Sequence, residues 1–326
     1  MGLVTSSSTT RVAAIDCGTN SIRLLVADVA ADGTLTEVDR RQEIVRLGQG
    51  VDRTGELAPE ALARTLAASR EYARVIAETG AERVRFVATS ATRDARNRDV
   101  FAAGVRAALG VDPYVASGDE EAALSFRGAT VGVAATHPGP FLVVDIGGGS
   151  TELVLGDGSP RAGLSLDVGS VRMTERHLHS DPPTDDEVAA ARADVRAALD
   201  RAAQTVPFGE TVTLVGLAGS VTSVTAHALR LPSYQRERVH GATLGVEEVL
   251  AACDDLLHRS RERRLGLGFM HPGRADVIGA GALVWSEVVA RVRDEVAVAG
   301  GPTGRALTQV VTSESDILDG IALSLR

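Results

Sequence analysis

Lysine is missing from this chain: all 34 of its basic residues are arginine. That excludes a Walker A phosphate loop, whose lysine reaches the phosphates. Cysteine is nearly missing too. Cys17 and Cys253 stand far apart, with no metal-ligand spacing and no disulfide framework, so reduced thiols and a cytoplasmic setting are expected. No run approaches the roughly 18 apolar residues of a membrane span. The opening "MGLVTSSSTT" lacks the basic and apolar regions of a signal peptide, and residues 1–10 are expected to form a disordered leader. A net charge of −9 disfavours nonspecific binding to nucleic acid or anionic membranes, so neither is expected as a partner. With 44% apolar residues over 326 positions, the chain can bury a sizeable core and exceeds a typical single domain.

Glycine, by contrast, is concentrated where it has consequences. "VVDIGGGSTELVLG", residues 143–156, sets three glycines between two runs that both read as strands. Glycine weakens a strand, so a triplet there points either to a loose bulged turn or to a backbone that another group must approach closely. Phosphate is the group that most often seeks bare, convergent N–H donors. A weaker echo, "AAIDCGTNSIRLLVADV", covers residues 13–29, with Asp16 in the place of Asp145 and a polar turn holding Gly18, Thr19, Asn20 and Ser21. Two such hairpins about 130 residues apart suggest duplicated halves facing one ligand. A third glycine turn, "TLVGLAGSVTSVTAHAL" at 213–229, runs from a strand (211–215) into a helix. It offers either an anion-favouring helix N-terminus or a tight turn with Ser220 as N-cap.

Between these landmarks strands and helices alternate. Residues 11–47 read as a three-strand meander, and a helix begins near Pro59 with apolar positions at helical spacing. "RVRFVATSATRDA" reads as a strand and a polar turn; a helix near 99–109, the strand "PYVAS" and a helix from about Glu120 complete the first half. The second half adds strands near 162–168 and an amphipathic helix across 184–205 introduced by "DPPTDDEV". Helices follow, including 274–294 and a last one near 314–325. "ATHPGP", 135–140, is the most linker-like stretch. The expected division is a first domain over 11–130 and a second over 131–326, with the final helix able to pack back on the first.

Taken in order, "IDCGTNSIRLL", "ATSATRDARN", "SGDEEAALSFRG", "VVDIGGGSTELVLG", "LAGSVTS", "RVHGATL", "GRADVIGAGALV" and "DILDGIAL" make the chain resemble the Ppx/GppA phosphatase family over nearly its whole length. The resemblance implies an α/β, two-domain actin/Hsp70/sugar-kinase-like (ribonuclease H-like) fold with the active site in an interdomain cleft. It implies exopolyphosphatase activity, or removal of the 5′-phosphate from guanosine pentaphosphate, and commonly a homodimer. The chain resembles the short two-domain type, for which short polyphosphates and distributive release are expected.

A phosphoanhydride is already a good electrophile, so the protein mainly neutralises charge, holds the phosphate and aims a water. Glu121 in "SGDEEA" matches the family's catalytic glutamate, and Arg93 in "SATRDA" matches an arginine that grips phosphate. On residue type alone, Asp119, Glu120 and Glu121 also suit a helix first turn, and Arg93 also suits an ordinary surface position. Asp145 and Glu152 flank the glycine triplet as hard oxygen donors suited to Mg2+, with Mn2+ as a substitute and Asp16 as an additional outer-sphere oxygen. Asn20, Ser21, Gly147, Gly148, Gly149 and Ser150 form the expected phosphate cradle, closed by Gly219 and Ser220. His177 and His179 form an H-x-H pair without a third ligand at zinc spacing. His240 and Arg274–Asp276 sit in family motifs of open function. The leading reading is Mg2+-dependent hydrolysis of inorganic polyphosphate. A different class, an actin-like nucleotide-binding or kinase protein, shares the fold but not the acid cluster around Glu121.

Overall fold

The computed structural model describes residues 9–300 and 306–326. These form two compact units, one comprising the chain up to Ser117 with Ile317–Arg326, the other Gly118–Asp316. In the first unit, β1 (Thr9–Cys17), β2 (Ser21–Ala30) and β3 (Leu35–Ile44) make an antiparallel meander, and β4 (Arg83–Ala88) and β5 (Tyr114–Val115) continue the sheet parallel to β1. β1 and β2 are central and apolar. β3, with Glu37, Asp39, Arg40, Arg41 and Glu43, takes the edge, where charge protects open backbone groups. The helices are α1 (Val51–Thr54), α2 (Pro59–Thr79), α3 (Ser90–Asp94) and α4 (Arg98–Leu109). α2 starts on Pro59, whose missing N–H costs nothing there, and stops at Gly80, which takes the left-handed conformation at φ 71°. Its Tyr72 hydroxyl donates to the Ile22 carbonyl at 3.0 Å, tying the helix to the sheet beside the first glycine turn.

The second unit repeats the plan. β6 (Phe141–Ile146), β7 (Thr151–Asp157) and β8 (Ser159–Leu166) form the meander, and β9 (Thr213–Leu217), β10 (Thr243–Gly245) and β11 (Gln309–Thr312) extend the sheet in the order β10-β11-β9-β6-β7-β8. Its helices are α5 (Gly118–Val133), α6 (Ser170–His177), α7 (Asp185–Ala202), α8 (Ala218–Ala228), α9 (Arg236–Val239), α10 (Val246–His258), α11 (Arg261–Leu265) and α12 (Ile278–Gly300). The last helix, α13 (Ile317–Leu323), packs on β1, β2 and β4 of the first unit. Asp319 of α13 pairs with Arg40 at 3.1 Å.

The registers make the repeat specific. Asp16 faces Arg23 across β1/β2 and Val87 across β1/β4; Asp145 faces Glu152 across β6/β7 and Leu217 across β6/β9. Each turn closes through the same bond, from Gly18 N to Ser21 O at 2.9 Å and from Gly147 N to Ser150 O at 3.0 Å.

Several expectations need correction. The division falls at Ser117/Gly118 rather than near 130, because α5 packs its Ala122, Phe126, Ala129 and Val133 with Phe141, Val143 and Val154 of the second sheet. The linker-like 135–140 is a loop inside the second unit. The polar turn after β4 is the short helix α3. The helix expected from 274 starts at Ile278, preceded by a 3-10 turn over Pro272–Arg274 that His271 caps through Gly273 N at 3.1 Å. Thr9 and Thr10 already pair with Ala30 and Val29, and the rest of the expected leader lies outside the described residues.

Candidate active site

In the second unit the pleat sets three side chains in a row on one face of the sheet. Asp145 on β6 is opposite Glu152 on β7, which is opposite Ser165 on β8. Both carboxyls are buried, with Asp145 6% and Glu152 1% exposed. Two carboxyls taken out of water side by side repel one another and are costly as a pair of anions. Each receives a hydroxyl: Ser125 Oγ donates to Asp145 Oδ2 at 2.7 Å, and Ser165 Oγ donates to Glu152 Oε1 at 2.7 Å. α5 lies over this face, and its first turn carries Asp119, Glu120 and Glu121, of which Glu121 alone is buried. Glu121 and Ser125 are four residues apart and so share one face of the helix. Sequence reasoning picked Glu121 from the acid triplet; Ser125 and Ser165 it passed over, although the four-residue spacing from Glu121 was a signal for the first.

The donor set fits a magnesium-sized ion. Mg2+ is commonly held by one or two carboxylates, with waters and substrate phosphate completing the shell. Asp145 and Glu152 supply that pair, and among the described residues no group of three or more His, Cys, Asp or Glu comes together to hold a metal.

The glycine triplet is pinned by its carbonyls. Ser170 N donates to Gly147 O at 2.9 Å, and Val171 N to Gly148 O at 2.8 Å. Arg172 donates twice, through N to Gly148 O at 3.1 Å and through Nε to Gly149 O at 2.7 Å. The first turn of α6 thus satisfies its own orphan donors on the turn. In a trans peptide the carbonyl and the next N–H point in opposite directions. Three successive N–H groups, those of Gly148, Gly149 and Ser150, therefore point away from α6 together, as a phosphate cradle requires. Gly147 differs from the expectation, since its N–H closes the turn on Ser150 O. Gly169 explains the tight approach: a Cβ there would lie 2.5 Å from Gly148 O. Arg172 was not singled out from sequence, because only the fold brings it back to Gly149.

The third turn runs from β9 into α8 through Ala218, a non-glycine residue at φ 66°. That left-handed conformation is costly for an alanine and is held by its surroundings. Ser220 lies inside the first turn of α8 and is not its N-cap, a position that Leu217 occupies. The Arg274 guanidinium lies against Gly219, where a Cβ would displace it, and Gly281 of α12 abuts Ser220 and Ser170. Gly219, Ser220 and the glycine triplet are thereby linked through α6 and α12, and Arg274 acquires a place beside the turn.

The first unit holds the other candidates. Asp16 accepts Arg23 through Nη2 at 2.6 Å and Nε at 3.0 Å, both on Oδ2, so a guanidinium stands where the second unit has Glu152. Both bonds fall on one carboxylate oxygen of Asp16, the residue expected as an outer-sphere oxygen for the metal. Asn20 accepts Val45 N and Arg46 N on its carbonyl, which fixes the turn bearing Asn20 and Ser21. Arg93, in the last turn of α3, donates through Nη1 to Ala116 O at 2.8 Å. Among the histidines, His177 Nε2 lies 3.0 Å from Asp194 Oδ2, and the His179 N–H donates to Glu187 at 3.1 Å.

Comparison with known proteins agrees with this plan. The model of the Ppx/GppA phosphatase family matches residues 25–301. A Mycobacterium tuberculosis protein named "Exopolyphosphatase 2" is 51% identical over 324 residues, 97% of this chain and 98% of that protein. A crystal structure of an "exopolyphosphatase-like protein" superposes with a TM-score of 0.93 at 47% identity, covering 97% of each chain. A Vibrio atlanticus "Guanosine-5'-triphosphate,3'-diphosphate pyrophosphatase" is 38% identical over 51% of this chain and 33% of its own length. Its repeated α/β units, its glycine turns and these matches agree: the chain belongs to the Ppx/GppA phosphatase family.

Proposed function

We propose that the chain is an exopolyphosphatase, a divalent-metal-dependent hydrolase that releases the terminal phosphate of inorganic polyphosphate. The observation that carries the reading is the buried Asp145–Glu152 pair beside three aligned N–H donors, with Glu121 in the helix packed over the same sheet face. The N–H groups of Gly148, Gly149 and Ser150 hold the equatorial oxygens of the terminal phosphate. Glu121 accepts a hydrogen bond from, or the proton of, the attacking water. The water oxygen bonds to phosphorus, the bridging P–O bond breaks, and its electron pair leaves on the shortened chain. When bound at Asp145 and Glu152, Mg2+ supplies charge neutralisation for the phosphate oxygens. Arg93, Asn20 and Ser21 are proposed phosphate-binding residues.

The second reading is 5′-phosphate removal from guanosine pentaphosphate, favoured by the Vibrio relative across half the chain. Among the described residues no helix is long and apolar enough to cross a membrane. Cys17 and Cys253 are both buried free thiols, and burial pushes each thiol well above its ordinary value. A reducing, cytoplasmic workplace suits them. The test is phosphate release from graded polyphosphates, guanosine pentaphosphate and ATP, with Mg2+ and with EDTA. Fastest release from polyphosphate, abolished by EDTA, supports the proposal; fastest release from ATP overturns it.

A further inference from the structure

The two serines on the carboxylate pair also meet the helix that bears Glu121, Ser125 as part of it and Ser165 through packing. Gly118, Glu121 and Ser125 form one stripe along α5, at spacings of three and four residues. Ser165, Glu152 and Asp145 form one row across β8, β7 and β6. Stripe and row are fastened at both ends. At one end Gly118 rests on Ser165, so closely that a Cβ on residue 118 would lie 2.6 Å from Ser165 Cβ. At the other, the fully buried Ser125 donates to Asp145 at 2.7 Å. The lengths agree. Seven residues of helix rise about 10 Å, and two strand spacings also span about 10 Å. On these lengths the helix backbone at residue 121 passes over the middle of the row, at Glu152. Each serine meanwhile fixes one carboxylate oxygen and so orients the other, the oxygen a metal would use.

We propose that Ser125 and Ser165 are positioning residues that set both the orientation of the Asp145–Glu152 pair toward a divalent ion and the place of Glu121 above it. The proposal rests on the metal-dependent reading above. Direct Mn2+ binding to the metal-free full-length chain, followed by the electron paramagnetic resonance of free Mn2+, tests it without relying on turnover. Ser125→Ala and Ser165→Ala should each weaken Mn2+ binding by about 10–100-fold, the usual loss when an outer-shell partner is removed. Ser125→Thr, which keeps the hydroxyl, should recover most of the affinity. Ser165→Ala keeps the Cβ that Gly118 packs on, so its melting temperature should stay near that of the wild type. It decides the matter if Ser125→Ala fails to fold. If Asp145→Asn loses Mn2+ while Ser165→Ala and any folded Ser125→Ala bind it as the wild type does, the hydroxyl proposal is wrong and the metal reading stands. If the wild-type chain binds no Mn2+, both fall.

Discussion

Among the individual residues, Asp145 has the most distinctive environment. Its counterpart Asp16 has the same place at a strand end but is matched by Arg23, whereas Asp145 is matched by a second acid, Glu152. One repeat sets an acid opposite a guanidinium; the other sets two carboxyls opposite one another, a donor pair that suits a divalent cation. Asp145→Asn keeps the shape and the Ser125 contact on one oxygen but removes the charge. The Mg2+ concentration for half-maximal phosphate release should rise at least tenfold, an effect typical of altered metal ligation. The same titration with Asp16→Asn should show a much smaller change. An equal shift in both variants would put Asp16 on the same footing as Asp145 at the metal.

Elements hold the site through packing that leaves no slack. The glycine turn is fixed by α6, and Gly169 is where the two backbones come closest. Gly169→Ala must move the turn or the helix, so the N–H triplet loses its aim. Phosphate release should fall at least tenfold, with stability reduced by about 1–3 kcal/mol as for other overpacked positions; an unchanged rate in a folded variant would show that the turn does not hold substrate. α7 shows a different kind of control. Thr184 and Glu187 form a capping box, and Glu187 also accepts from Ser180 and the His179 amide. The Thr184 N–H, chief among these donors, holds the Glu187 carboxyl below its ordinary value of 4.5. A depressed folded value means that the contribution to stability is complete above pH 4.5 and is lost as pH falls through the lower folded value. Chemical denaturation of wild type and Glu187→Gln should therefore show a stability gap at pH 7 that narrows below pH 4.5. A gap that widens on acidification would contradict the cap.

The whole molecule shows what local reading could reach. The strands, the two matching glycine hairpins and the acids beside the glycines were legible because each signal lies within a few consecutive residues. Ser165 was not, because its role depends on the β7/β8 register; Arg172 was not, because only the fold brings α6 back onto the turn. The unit boundary was misplaced for the same reason. Nothing in "SGDEEAALSFRG" says which sheet Phe126 will be buried against. Charge also acts on this scale. With a net charge of −9 the chain repels a long polyanion more than a short one, and the repulsion is screened beyond about 10 Å at 0.1 M salt. Added salt should raise kcat/KM on long polyphosphate relative to short. A ratio that falls with salt would indicate that attraction, not repulsion, governs encounter.

The central claim is that Glu121, on the helix packed over the sheet face of Asp145 and Glu152, handles the water that attacks the terminal phosphate. The most direct measurement is single-turnover phosphate release from a short polyphosphate by Glu121→Gln, with substrate binding determined separately on the same protein. The account predicts a fall on the order of 10²–10⁴ in the chemical step, the usual worth of a general base, with binding retained. Near-wild-type turnover in Glu121→Gln, together with a large loss in Glu120→Gln, would contradict it.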